Sequence, residues 1–185
     1  MTLFYESKLI FVFGVSITYF NNSNTGFLLL NCGIERNMDN NNTPIEILIV
    51  EDNPSDAALM MRALRKNHLA NYIKVCEDGE EALEYLFCTG RYENTKEHSE
   101  LRVVFLDLKL PKINGLEVLK EIRSNEKTRK IPVVIVSSSK EDPDIKSAYD
   151  LGANSYVVKP LQFEDFVKAV SQLGMYWLIL NESSQ

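Results

Sequence analysis
Positive charge is not in excess in this chain of 185 residues: 20 Lys and Arg stand against 26 Asp and Glu, a net charge of -6. No basic stripe runs through it, which argues against nucleic acid as a partner, because such binding draws most of its affinity from neutralised phosphates. Cysteine is scarce, and Cys32, Cys76 and Cys88 show neither a CxxC nor a Cys/His metal spacing. An odd set without such spacing points to free thiols in a reducing, cytoplasmic compartment. Cys76 and Cys88 are expected inside structural elements as small core residues. No apolar run reaches the roughly 20 residues of a membrane span, so no membrane partner is expected. The run from Leu9 to Phe20 has the length of a signal-peptide core, yet Asn21-Asn22-Ser23-Asn24 behind it is a poor cleavage site.

Residues 1–43 lie outside the pattern that follows. Met38 opens Met-Asp-Asn-Asn-Asn-Thr-Pro, a polar lead into the first regular strand. The working protein is therefore expected to begin at Met38, with the upstream part a leader or a mis-assigned start. A single domain of ordinary size is expected over 44–173, with an apolar extension over 174–185.

What is present is an alternation of strands and helices. Apolar runs at 45–50, 72–76, 103–106, 131–136 and 155–158 read as strands, and the unbroken apolarity of Val103-Val104-Phe105-Leu106 marks a strand buried on both faces. Helices are expected after Asn53-Pro54-Ser55-Asp56, a capping sequence with proline where no donor is needed, and over 80–87, 116–124, 141–151 and 163–173. Gly152 stands where a helix C-terminus wants a left-handed residue. Thr89 to Glu100 reads as an exposed polar insertion. The interleaving argues an α/β fold, a doubly wound parallel sheet of five strands.

Ligands of such folds bind at the C-terminal edge of the sheet. At that edge stand Glu51-Asp52 after the first strand, Asp107 after the third, Ser137 after the fourth and Lys159 after the fifth. Carboxylates crowded together repel one another unless a cation offsets them, and Mg2+ prefers oxygen ligands at about 2.0–2.1 Å. Asp52 and Asp107 are the natural direct ligands, with Glu51 acting through a water. Asp107 can then serve as a nucleophile that takes a phosphoryl group as an acyl phosphate. Lys159 would spread the charge of the transferring group and Ser137 would donate to one of its oxygens. Pro160 raises the expectation of a cis Lys159–Pro160 bond that fixes the direction of the lysine.

Glu51-Asp52, Asp107 with Pro111 and Gly115, Ser137, and Tyr156-x-x-Lys159-Pro160 closely resemble the receiver domain of two-component response regulators, over about residues 45–173. The resemblance implies a flavodoxin-like sheet in the order 2-1-3-4-5. It also implies a Mg2+-dependent transfer of phosphoryl from a phosphohistidine of a sensor kinase or phosphotransfer protein onto Asp107. It assigns the backbone carbonyl of Lys109 to the metal alongside Glu51, Asp52 and Asp107. It further implies a switch in which Ser137 moves toward the phosphoryl group and Tyr156 turns inward, driven by the charge and acceptor oxygens that a phosphate adds. Read bare, Tyr156 is equally a strand aromatic. Glu51 replaces the commoner first Asp, and the Lys109 side chain is expected to obstruct an attacking water and prolong the acyl phosphate.

Only about a dozen residues follow the last helix, so a stand-alone receiver is expected rather than one joined to an effector. The polar insertion and the apolar Tyr176-Trp177-Leu178-Ile179 end resemble the single-domain regulators that partner phytochrome-like sensor kinases. That end suggests either a homodimer or packing against the chain's own core. Two rival functions are a receiver fold that binds a partner without being phosphorylated, and a phosphohydrolase similar to haloacid dehalogenases. The hydrolase chemistry requires an acid two residues after the nucleophile, where this chain has Lys109.

Overall fold
A computed structural model describes residues 7–12, 15–20, 46–67, 69, 72–95 and 101–181, the first two segments by their backbone alone. The chain divides into two compact units, Met1–Asn40 and Asn41–Gln185. In the first, β1 (Ser7–Val12) pairs antiparallel with β2 (Val15–Phe20), from Ser7 opposite Phe20 to Val12 opposite Val15. The apolar run that has the length of a signal core is thus two strands, in keeping with its β-branched and aromatic content. Cys32 and Met38 lie outside the described residues.

The second unit carries a parallel sheet of β3 (Ile47–Val50), β4 (Ile73–Cys76), β5 (Val103–Leu106), β6 (Val133–Ser137) and β7 (Ser155–Val158). Its spatial order is β4-β3-β5-β6-β7, the expected 2-1-3-4-5 when counted from β3. Every residue of β3, β5 and β6 is buried, as the unbroken apolar runs require, whereas the edge strand β7 is only half-buried. The helices are α1 (Pro54–Lys66), α2 (Gly79–Phe87), α3 (Gly115–Ser124), α4 (Asp142–Asp150) and α5 (Phe163–Met175).

The core lies in two halves, one on each side of the sheet. Leu48, Val104, Leu106 and Ile135 pack with Val118, Leu119 and Ile122 of α3, while Ile47, Ile49, Phe105 and Val134 pack with Met60 and Leu64 of α1 and with Phe166 and Val170 of α5. Asn53 caps α1 by accepting from the amides of Ser55 and Asp56, at 2.9 and 3.4 Å. Asn114 and Glu117 form a reciprocal capping box at the start of α3.

Three expectations are corrected. Cys76 is buried, but Cys88 is the half-buried C-cap of α2 with φ 53°, so it ends an element rather than filling one. No cis peptide occurs among the described residues, so Lys159–Pro160 is trans, the form that X-Pro bonds favour by about 0.5–1 kcal/mol. Finally, α5 runs through Gly174 to Met175 and continues as a wide π-type turn over Tyr176–Leu180. Gly174 is there for close approach: a Cβ on it would stand 2.5 Å from Leu64 Cδ2 and 2.9 Å from Leu69 Cδ1. Trp177 and Leu178 join the α1–α5 core, while Met175, Tyr176, Ile179 and Leu180 stay exposed.

Candidate functional site
Sheet register decides what meets at the C-terminal edge. Val50 lies beside both Cys76 and Leu106, and Ser137 beside Val158, so Glu51, Asp107, Ser137 and Lys159 emerge close to one level. The ladders continue past the strands, with the Asp107 amide donating to Val50 O at 3.0 Å and the Lys159 amide to Ser137 O at 2.8 Å. These bonds carry backbone order into the site itself. Gly115 brings α3 against the same edge, because a Cβ there would collide with the carbonyl oxygen of Asp107.

Among the described residues, Glu51, Asp52 and Asp107 form a cluster whose ligand oxygens all lie within 4.8 Å of one another. Glu51 is 2% exposed and Asp107 5%, while Asp52 is open to solvent. Lys159 reaches into this cluster: its Nζ donates to Glu51 Oε2 at 2.6 Å, Asp107 Oδ2 at 2.7 Å and Asp56 Oδ2 at 3.0 Å. The other oxygens of the two buried acids take backbone amides, Asn53 N on Glu51 at 3.3 Å and Lys109 N on Asp107 at 3.2 Å.

Burial drives the Glu51 carboxyl up to about 7, overriding the hydrogen bond and charge of Lys159, and the charges of Asp107 and Asp56 add to the rise. For Lys159 burial works against the ammonium, but hydrogen bonds to Asp107 and Glu51 and their charges prevail and hold its pKa above the ordinary lysine value. One cation among four carboxylates leaves a net deficit of positive charge. The three clustered acids offer only oxygens, two of them from a desolvated pocket, and this donor set fits a hard divalent cation such as Mg2+.

The loop after β6 is tied to the site from two sides. Ser137 is fully buried and its Oγ accepts from the Ser139 amide at 3.4 Å, while the half-buried Tyr156 hydroxyl donates to the Ser139 carbonyl at 3.1 Å. Ser139 Oγ in turn donates to Asp144 Oδ2 of α4 at 2.6 Å. Lys109 projects its side chain into solvent.

The structure therefore brings together Glu51, Asp52, Asp107 and Lys159, and places Ser137 at the end of β6 and Tyr156 in β7, both hydrogen-bonded to Ser139 of the adjoining loop. Two participants escape a reading of strand ends. Asp56 lies in the first turn of α1, where it passes for part of a helix cap, and its signal is an acid four residues after Asp52. Ser139, two residues past the end of β6, links Ser137, Tyr156 and α4.

A parallel sheet in this order, with buried acids and one lysine at its C-terminal edge, defines a receiver. The chain matches the response regulator receiver domain over residues 47–171 and belongs to that family. Particular relatives sharpen the likeness. The chain is 43% identical over 140 residues to the probable methanogenesis regulatory protein FilR2 of Methanothrix harundinacea, covering 76% of this chain and 88% of the relative. It is 34% identical to response regulator Rcp1 of Synechocystis sp. over 140 residues, covering 76% of this chain and 93% of Rcp1. The Mn2+-bound form of Rcp1 superposes with a TM-score of 0.71 at 32% identity, over 77% of this chain and all of that one (100%). The phosphorylated cyanobacterial phytochrome response regulator RcpA gives a TM-score of 0.71 at 34% identity, over 77% and 100% of the two chains.

Proposed function
We propose that Asp107 accepts a phosphoryl group from a phosphohistidine of a sensor kinase or phosphotransfer protein, in a site that holds Mg2+. The observation that carries this reading is the Lys159 ammonium 2.7 Å from Asp107, beside three carboxylates whose oxygens lie within 4.8 Å. An oxygen of Asp107 attacks phosphorus, an O–P bond forms, the P–N bond breaks, and its electron pair stays on the imidazole nitrogen. Glu51, Asp52, Asp107 and the Lys109 carbonyl are the residues that would hold the ion, which when bound supplies positive charge to the transferring oxygens. Lys159 adds a second cation, and the Ser137 hydroxyl is the donor for a remaining phosphoryl oxygen.

The phosphoryl group then competes for Ser137, whose Oγ is otherwise bonded by the Ser139 amide, and the Tyr156 hydroxyl loses its carbonyl acceptor when that loop moves. This gives the switch a defined starting state. The similarity to RcpA, a phytochrome response regulator, supports a phytochrome-like kinase as partner. Met175, Tyr176, Ile179 and Leu180, exposed together at the C-terminal end of α5, support a homodimer. Residues 38–185 suffice for this activity, which takes place in the cytoplasm without nucleic acid. Among the described residues no helix is long and apolar enough to cross a membrane.

The test is phosphorylation by acetyl phosphate with Mg2+, read by intact mass. The wild type should gain one phosphoryl group and Asp107→Asn none; labelling of that variant at the wild-type rate would overturn the assignment.

A further inference from the structure
Lys159 is held by three acids, and the third has no place in the metal cluster. An ammonium has three N–H donors. Here Glu51, Asp107 and Asp56 take them at 2.6, 2.7 and 3.0 Å, so a phosphoryl oxygen can reach the lysine only by displacing one of them. Their fates in the reaction differ. Asp107 loses its carboxylate charge when it becomes an acyl phosphate, and Glu51 shares its charge with the ion that the cluster would hold. Asp56 stands apart from that cluster, with its side chain 28% exposed at the first turn of α1, and takes part neither in the acyl phosphate nor in the metal site. It is the one acceptor that still competes when phosphoryl arrives.

We propose that Asp56 is a positioning residue that competes with the incoming phosphoryl group for the Lys159 ammonium, and so slows the phosphorylation of Asp107 by small donors. This rests on Asp107 being the acceptor, as proposed above. Asp56 is anchored on α1 and engages one of the three N–H donors of the ammonium, which is then not free for a phosphoryl oxygen. A carboxylate within hydrogen-bond distance of a partly buried cation has a Coulomb attraction large enough to shift an equilibrium by about one order of magnitude. Removing that charge while keeping the shape weakens the hold on one N–H, which the phosphoryl oxygen can then take.

The experiment is a double-mutant cycle with acetyl phosphate and Mg2+, using Asp56→Asn, Lys159→Ala and the pair, with phosphorylation followed by intact mass. Asp56→Asn should raise the second-order rate constant about three- to tenfold, and Asp56→Glu should bring it back toward wild type. In the Lys159→Ala background Asp56→Asn should change nothing. A rate unchanged or lowered in Asp56→Asn overturns the proposal, and so does an equal gain in both backgrounds, which would mean simple repulsion of the anionic donor. Thermal melts confirm that each variant is folded at the assay temperature. Loss of labelling in Asp107→Asn keeps the phosphoacceptor reading intact whatever Asp56 does, so the two claims fail separately.

Discussion

Replacing Glu51 by glutamine should remove a specific pH dependence from the stability of the metal-free protein. Glu51 is 2% exposed, and burial lifts its carboxyl from the usual 4.5 to about 7 despite the hydrogen bond and charge of Lys159. Because the folded-state value is the higher one, the folded chain keeps a proton between pH 4.5 and 7 that the unfolded chain has released. The stability from this proton is complete below about 4.5 and is lost as pH rises through about 7. The gap between the two values corresponds to at most about 3 kcal/mol. Urea denaturation in chelator across this window, for wild type and Glu51→Gln, reads by difference the contribution of Glu51 together with its coupling to Lys159, Asp107 and Asp56. The wild type should lose stability relative to the variant as pH rises from about 5 to about 7, by a few kcal/mol at most. Saturating Mg2+ should abolish the trend, because a cation keeps the carboxylate ionised, and Mg2+ affinity should fall by roughly tenfold for each pH unit below about 7. A stability difference that stays flat over this range would refute the burial argument.

Other outcomes follow from the same geometry. Lys109→Asn tests the proposed obstruction of attacking water by the exposed lysine side chain: the life of the acyl phosphate should shorten, and an unchanged dephosphorylation rate removes that role. Gly115→Ala should destabilise the fold by about 2 kcal/mol in urea melts and slow labelling of Asp107, because its Cβ meets the Asp107 carbonyl and backbone must move. Ile179→Glu should convert a dimer to monomer in sedimentation without loss of stability, since Ile179 is 62% exposed, whereas Trp177→Glu should unfold the α5 end because that ring is buried at 8%. Equal sedimentation of wild type and Ile179→Glu as monomers would exclude the dimer.

The strands and the site residues were legible for one physical reason. A parallel strand buried on both faces must be apolar throughout, so the first polar residue after it marks the sheet edge. Asp107 after Val103–Leu106 therefore announces itself, whereas Lys159 follows the half-buried edge strand Ser155–Val158 and is read from its place after the last strand of the alternation. Helix caps were readable because Asn53 and Pro54 satisfy or remove donors by local chemistry alone. What was not legible depends on contacts far apart in sequence. Gly174 reads as a stop when only its neighbours are considered, yet its missing Cβ lets α5 approach Leu64 and Leu69. The polar insertion after α2 gives no hint that Tyr92 donates to Glu81 at 2.6 Å and stacks edge-on against Tyr85, pinning the segment to α2 beside β4. Asp56 escaped notice because an acid at a helix N-terminus already has a sufficient local explanation.

The position of Lys159 joins stability and function in one opposition. Two carboxylates lie almost wholly out of water at the end of β3 and β5, and without a metal the lysine is their shared counterion, with all three of its donors engaged. Such an arrangement relieves the repulsion that assembling the acids creates, and a buried pair broken from one side costs about 3–5 kcal/mol. Yet the groups that hold the ammonium are those from which phosphoryl transfer must release it. A cation held by Glu51, Asp52 and Asp107 would resolve the conflict, because it would neutralise the acids and leave the lysine available for phosphoryl oxygens. The charge balance of the resting pocket thus gives a reason to expect metal dependence, and a divalent cation is expected to loosen Lys159 from Glu51 before any phosphoryl group arrives.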